Sequence, residues 1–345
     1  MFIVENLNQA LLVTGKALLE DGVFRGTRGF RCLELPYPML LCISNPIDRY
    51  CTIPERKWNK YLGWVESLWL AQGINDMKMP YHYVKNLLNF SDDGKYMRAG
   101  YGPRLRGYNG DKEDYKYSSS PIGKFGSDQL KFVIDTLKKE ITSRQACITI
   151  HDPIKDNYVW NGNEYVLKQT KDIPCTRTIQ FMVVDGKLNC TVTMRSNDIW
   201  WGMSAVNVFN FTLMQEYIAG ILGVKVGKYY HFVNNFHVYE DKLDQLKEAV
   251  DNNYVEDYKS KYNFQYLLPD SLKDFDRLIS DVAMFERDFR EHPIKIDIDE
   301  YLEWNTPSEE FGFLWKDWAL MFYKHAFPEE EIKFNNPYLN DLFSK

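Results

Sequence analysis

The sequence predicts an α+β protein. Apolar stripes recur at helical period over 61–72, 128–142, 209–222 and 272–285, whereas the β-rich stretches read as a hairpin and alternating runs rather than strand–helix–strand units. The composition agrees: 45% hydrophobic and 26% charged residues over 345 positions suit a folded chain with a sizeable core.

Residues 61–72 read as a buried helix, with Leu62, Val65, Leu68 and Trp69 on one face and Gly73 as the stop. Over 128–142, Leu130, Val133, Ile134, Leu137 and Ile141 make an amphipathic helix. Gln145–His151 is a short β-rich run. Thr178–Val184 and Lys187–Arg195 flank Asp185-Gly186, a strong hairpin turn. A helix is expected from about Phe209 to Leu222, closed by Gly223, with Phe211, Met214, Ile218 and Leu222 inward. Residues 228–239 alternate as a strand, placing His231, His237 and Tyr239 on one face and Phe232, Phe236 and Val238 on the other. Leu272, Phe275, Ile279, Val282 and Phe285 mark a C-terminal helix. No repeat or linker interrupts the chain. Residues 1–345 are therefore expected to form a single domain, with a helical extension over about 245–345 whose role is not readable.

The net charge of −6, from 42 basic and 48 acidic side chains, argues against a nucleic acid as the main partner. No apolar run approaches the roughly 20 residues of a bilayer span, and Met1–Glu5 does not begin a secretory leader, so no membrane partner is expected. The six cysteines are scattered and the histidines lack ligand spacing, which points to no metal, no disulfide framework and a reducing cytoplasm.

Two segments carry chemistry. Cys175 precedes a strand, with Arg177 and Arg195 as candidate neighbours; a thiol of pKa about 8.5 needs such positive charge to become a nucleophile at neutral pH. Arg195-Ser-Asn-Asp198 ends a strand with groups that suit a phosphate, since a guanidinium binds one through two parallel hydrogen bonds.

In order along the chain come Glu66-Ser-Leu-Trp69-Leu-Ala-Gln72-Gly73, Tyr101-Gly102, Ser143-Arg144, Pro174-Cys175, Gln180 to Leu188, Arg195-Ser-Asn-Asp198 with Gly202, Phe211 to Glu216, Gly223 to Gly227, and His237-Val-Tyr239. This series resembles thymidylate synthase and its relatives, the pyrimidine nucleotide hydroxymethylases, over roughly residues 20–245. One extra residue lies between Gly202 and Phe211.

The resemblance implies a three-layer fold with a mixed sheet that seats a homodimer. It also implies transfer of a one-carbon unit from methylenetetrahydrofolate, as co-substrate, to C5 of a pyrimidine nucleoside monophosphate. By the same resemblance Cys175 is the nucleophile that adds at C6, and Arg195, Ser196 and either Arg28 or Arg25 hold the phosphate. Arg144 comes from the second subunit. Gln180 and Tyr101 line the base pocket, while His237 and Tyr239 bind the sugar hydroxyl. Asp198 contacts the pterin, Trp69 and Gly202 border the folate, and Glu66 orders proton-relay waters.

Three departures bear on the subfamily. Thr176 stands where the synthases carry a histidine. Residues 74–100 hold no tryptophan, where the synthases have a tryptophan-rich shield for the exocyclic methylene intermediate. About a hundred residues follow Tyr239, where the synthases end in a short closing tail. An unshielded intermediate favours water over hydride, which points to a hydroxymethyl product. Asn207, or Val206 or Asn210 given the extra residue, would read the base. An asparagine there favours uracil slightly over cytosine. The rivals are a true thymidylate synthase, a catalytically inactive nucleotide-binding relative and a thiol hydrolase. The hydroxymethylases resemble enzymes by which viruses of bacteria modify their DNA, so a viral protein acting in a bacterial cytoplasm fits.

Overall fold

The computed structural model describes residues 1–345 apart from 28, 125, 306–311 and 345. The strands are β1 (Phe2–Val4), β2 (Val23–Thr27), β3 (Phe30–Glu34), β4 (Met39–Ile43), β5 (Cys147–Thr149), β6 (Tyr158–Trp160), β7 (Tyr165–Leu167), β8 (Thr176–Val184), β9 (Lys187–Asp198) and β10 (Lys225–Tyr239). The helices of the first two-thirds are α1 (Leu7–Asp21), α2 (Leu62–Gln72), α3 (Lys78–Tyr83), α4 (Tyr101–Arg106), α5 (Gln129–Lys139), α6 (Pro153–Asp156) and α7 (Val208–Ile221). Those of the last third are α8 (Leu243–Asn252), α9 (Leu272–Glu291), α10 (Ile298–Asn305), α11 (Gly312–Ala326) and α12 (Pro337–Phe343).

The main sheet is mixed, as an α+β chain requires. Its order is β1-β4-β10-β9-β8-β5, with β3 also on β10 and β2 on β3. β10 is the axis: β9 runs parallel along one side, while β4 pairs with Tyr229–Val233 and β3 with His237–Tyr239 on the other. The β8–β9 turn forms as its sequence dictates, with Asp185 and Gly186 both at positive φ (51° and 70°), the geometry that matches the strand twist. Gly73 ends α2 at φ 75°, and an added Cβ there would run into Arg106 and Pro121. One boundary differs from the sequence reading. Asp128 caps α5, but the backbone turns extended at Glu140, so Ile141 lies beyond the helix and is 41% exposed.

Packing proceeds outward from the sheet. α7 is buried along nearly its whole length and lies between the sheet and the helices beyond it. Trp64 of α2 meets Phe209 of α7 at 5.4 Å and Trp318 of α11 at 5.4 Å, and the Trp318 indole donates to Trp64 O (3.0 Å). Tyr217 of α7 packs on Phe275 of α9 at 4.5 Å. A fully buried ion pair, Arg49–Glu216 (2.6 Å), receives the Tyr266 amide on its free carboxylate oxygen, and the Tyr266 hydroxyl donates to Asp317. One buried cluster thus runs from Val4 to Leu342. On β10 both faces are covered near its end, so Phe236, His237 and Val238 are all buried although they alternate in direction.

Candidate active site

Cys175 stands immediately before β8. The β8–β9 pairing slips between Thr176 and Thr178, which makes Arg177 the bulged residue; bulges re-aim side chains in this way. Arg177 lies within electrostatic reach of Cys175, Tyr101 and Arg195: burial and the Arg195 charge lower its basicity, while Cys175 and Tyr101 oppose them. Its Nη1 is buried without a hydrogen-bond partner among the described residues. The Arg195 amide donates to Cys175 O (2.9 Å), and its guanidinium donates to Pro174 O (3.1 Å) and Ile173 O (2.9 Å). Arg195 therefore holds the main chain that presents the thiol. The Tyr101 hydroxyl accepts from the Thr176 amide (3.1 Å) and is pushed well up by burial and by Cys175. The thiol is partly exposed, with the Arg177 guanidinium and the Tyr101 phenol within electrostatic reach.

The chain beyond Arg195 turns from strand into a helix whose hydrogen bonds skip five residues, Ile199–Asn207. Such wide turns concentrate at functional sites. Asp198 caps it, accepting from the Trp200 (2.9 Å) and Trp201 amides. Burial raises the Asp198 carboxyl to about 6 against these amides, with the Tyr239 amide also facing it. Its Oδ2 is buried and makes no hydrogen bond among the described residues. Arg56 braces the turn through Ser204 Oγ (2.9 Å) and Trp200 O (2.5 Å).

Glu66 sits mid-helix in α2. Burial raises its carboxyl to about 7, opposed by Asn210, whose Nδ2 donates to Glu66 Oε2 (3.0 Å). Asn210 Oδ1 accepts from Ser67 Oγ (2.9 Å), so this amide is committed to Glu66 and its neighbour. Val206 is buried. Asn207 is partly exposed, and its Oδ1 accepts from Asn197 Nδ2 (2.8 Å). One face of α7 joins the two halves: Phe211 stacks over Tyr101 (6.4 Å, 14°).

Other sequence-predicted residues form a second, connected group. Ser196 Oγ donates to Asn235 Oδ1 (3.3 Å), Asn235 Nδ2 to Glu34 (2.8 Å), and Glu34 lies 3.8 Å from the exposed Arg25 guanidinium. His237 pairs across the ladders with both Glu34 and Asp198, and Tyr239 meets the His237 ring edge-on at 5.2 Å. Arg28 lies outside the described residues. Arg144 is exposed beyond α5, and its carbonyl accepts from Gln180 Nε2 (3.1 Å). Gln180 is thus held at the β8–β5 side of the sheet, with four residues between it and Cys175. Trp69 is buried, with its indole N–H donating to Asp76 O (3.0 Å). Gly202 has no space for a side chain: an added Cβ would overlap Asn197 Nδ2 and lie 3.1 Å from Asn207 Oδ1.

Sequence reasoning missed Asn197, His231 and Tyr229, which continue inward from Asn207, and the pairing of Asn210 with Glu66. The Asn-Asp of Arg195-Ser-Asn-Asp198 was the available pointer to Asn197, and the strand alternation that put His231 on the face of His237 was the pointer to His231; nothing local pointed to the others.

Comparisons with known proteins show the family. The family described as thymidylate synthase matches residues 53–296. A deoxyuridylate hydroxymethyltransferase of Bacillus phage SP01 is 35% identical over 225 residues, 65% of this chain and 55% of that protein. Proteins of the same name from Pseudomonas phage M6 (30% over 247 residues, 71% of this chain and 63% of the relative) and Delftia phage PhiW-14 (29% over 210 residues, 60% and 54%) are also similar. The match spans a little over half to under two-thirds of these relatives. With the family pattern covering most of the chain, including Glu66, Cys175, Asp198 and the helix after it, this protein belongs to the thymidylate synthase family.

Proposed function

We propose that this chain is a folate-dependent transferase that converts dUMP to 5-hydroxymethyl-dUMP, with dCMP the closest competing substrate. The observation that carries the reading is the partly exposed Cys175 thiol with Arg177 and Tyr101 within electrostatic reach and Arg195 on its main chain, in a chain that also buries a carboxylic acid at Glu66 whose pKa of about 7 suits proton exchange at neutral pH. The names of the phage relatives favour uracil as the base.

In this account the Cys175 thiolate adds to C6 of the base, and the electron pair moves toward C5 while Asn207 meets the charge growing at O4. Methylenetetrahydrofolate supplies the one-carbon unit at the oxidation level of formaldehyde. Glu66 carries the proton that leaves C5, through water. Water then adds to the exocyclic methylene and Cys175 departs from C6. Nothing is oxidised or reduced, so the folate is released as tetrahydrofolate. Asp198 Oδ2 accepts a pterin N–H, with Gly202 and the exposed Trp201 at its border. Arg195, Ser196, Arg177 and Arg25 or Arg28 bind the phosphate in this reading, and His237 and Tyr239 bind the sugar hydroxyl.

A homodimer completes the site. Met182 and Val184 leave apolar surface on the outer face of the sheet, and the exposed Arg144 is free to reach a neighbour's phosphate. Residues 245–345 brace α2, and with it Glu66, through Trp318 and Trp64. Among the described residues no helix is long and apolar enough to cross a membrane, and no cluster of side chains could hold a metal ion.

The test is to incubate the protein with methylenetetrahydrofolate and dUMP, dCMP or CMP in turn and identify the products by mass spectrometry. Hydroxymethylated dUMP with tetrahydrofolate supports the reading. Thymidylate with dihydrofolate would make the protein a synthase, and nucleotide binding without turnover would make it an inactive relative.

A further inference from the structure

Behind Asn207 lies a buried line of hydrogen bonds with one direction. Asn207 Oδ1 pairs with Asn197 Nδ2 (2.8 Å), Asn197 Oδ1 with His231 Nε2 (2.9 Å), and His231 Nδ1 with the Tyr229 hydroxyl (2.8 Å). Tyr229 and His231 are fully buried and Asn197 is 4% exposed. Burial also holds His231 neutral, lowering its pKa to about 3, so the ring carries one N–H. Asn207 spends nothing on capping α7, since its side chain makes no cap hydrogen bond. Gly202 supplies the missing volume, because any side chain there would overlap Asn197 Nδ2.

A neutral imidazole and two amides can be satisfied in two directions. In the first, Tyr229 O–H donates to Nδ1, Nε2–H donates to Asn197 Oδ1, and Asn197 Nδ2 donates to Asn207 Oδ1. In the second, every bond reverses and both amides turn over. The directions are not equivalent. His231 is the only hydrogen-bond partner of the Tyr229 hydroxyl among the described residues. In the reversed chain that hydroxyl would accept from Nδ1–H, and its own buried proton would have no acceptor. A buried, unsatisfied donor is disfavoured, so Tyr229 fixes the direction of the whole line.

We propose that Tyr229, His231 and Asn197 are positioning residues that lock the Asn207 amide in one orientation, so that the protein tells uracil from cytosine through this line and not through Asn207 alone. Uracil offers a donor at N3 and an acceptor at O4, and cytosine offers the reverse. A single asparagine free to turn over serves both; one held from behind serves only one. The inference rests on the reading of Asn207 as the base-contacting residue.

The test uses Asn197→Asp and Tyr229→Phe with dUMP and dCMP as competing substrates. A carboxylate at 197 still accepts from His231 but can only accept from Asn207, so it turns the amide over. The ratio of kcat/KM for dUMP over dCMP should fall by about tenfold or more and move toward inversion. Tyr229→Phe removes the orienting hydroxyl, so the ratio should relax toward one by a smaller factor. A merely structural role would lower both substrates together and leave the ratio unchanged, and that result overturns the proposal. If Asn197→Asp loses turnover, the same ratio is read from dUMP and dCMP dissociation constants in the Cys175→Ser background, with Tyr229→Phe as the milder arm. Wild-type turnover of dUMP is the control: its absence defeats the proposed function, while the binding ratio still decides the role of the line.

Discussion

Replacing Glu66 with glutamine should make the protein more stable and less active, by amounts that depend on pH. The carboxyl titrates at about 7 in the folded chain because burial disfavours its charge, against a reference value of 4.5. Below pH 4.5 the group is neutral in both states and contributes no difference. As pH rises toward 7 the unfolded chain ionises first, and the folded state loses stability relative to it; above 7 the loss is complete. At about 1.4 kcal/mol per pH unit, the displacement from 4.5 to about 7 corresponds to about 3 kcal/mol. Glutamine removes the ionisation yet still accepts from Asn210. Glu66→Gln should therefore be stabilised by about 3 kcal/mol at pH 8.5 and by almost nothing at pH 4.5. For a chain this long that is about 4 °C in Tm. Thermal unfolding of both proteins across this pH range reads the difference directly, because other titrating groups cancel. The measured kcat should fall at least about 100-fold if Glu66 handles the C5 proton. A constant stability gap, or a variant less stable at pH 8.5, would refute the reasoning.

Four other outcomes follow from the structure. Cys175→Ser should abolish turnover and keep dUMP affinity within a few-fold, measured by calorimetry; appreciable residual activity would sink the covalent step. Arg144→Ala should raise the nucleotide KM strongly, and mixed with Cys175→Ser subunits it should regain part of the activity. A protein that sediments as a monomer ends the shared-site reading. Asn207→Asp should lower the dUMP over dCMP ratio of kcat/KM by about tenfold, since facing acceptors at O4 cost about 1–3 kcal/mol. Trp318→Ala should destabilise the whole chain by about 3–5 kcal/mol in one cooperative transition, because Trp318 is fully buried against Trp64; a separate low-temperature transition for the C-terminal helices would contradict this.

Local pattern made much of the fold legible. Asp185-Gly186 specified its turn, Gly73 and Gly223 ended their helices, and the stripe from Phe275 to Phe285 is buried as its spacing implied. What each stripe packs against was not legible: periodicity makes 61–72 a buried helix, but does not say that its Trp64 is covered by Trp318, 254 residues away. The site divides similarly. The motif series named Glu66, Cys175, Arg195 and Asp198, and proximity along the chain named Arg177, but the bulge at Arg177 is set by cross-strand register, which no local signal reports. Which of Val206, Asn207 and Asn210 meets the base stays open in the sequence, whereas the structure buries Val206 and ties Asn210 to Glu66. The His231 line joins two adjacent strands to a helix cap, so it exists only once the β9–β10 register is formed.

The central claim is that water, not hydride, completes the transfer onto C5 of uracil. It is tested most directly by one incubation of the purified protein with dUMP and methylenetetrahydrofolate, following both products. The account predicts a nucleotide heavier than dUMP by one CH2O, formed in step with tetrahydrofolate and without the absorbance rise of dihydrofolate. A nucleotide heavier by one CH2, appearing in step with dihydrofolate, would contradict it.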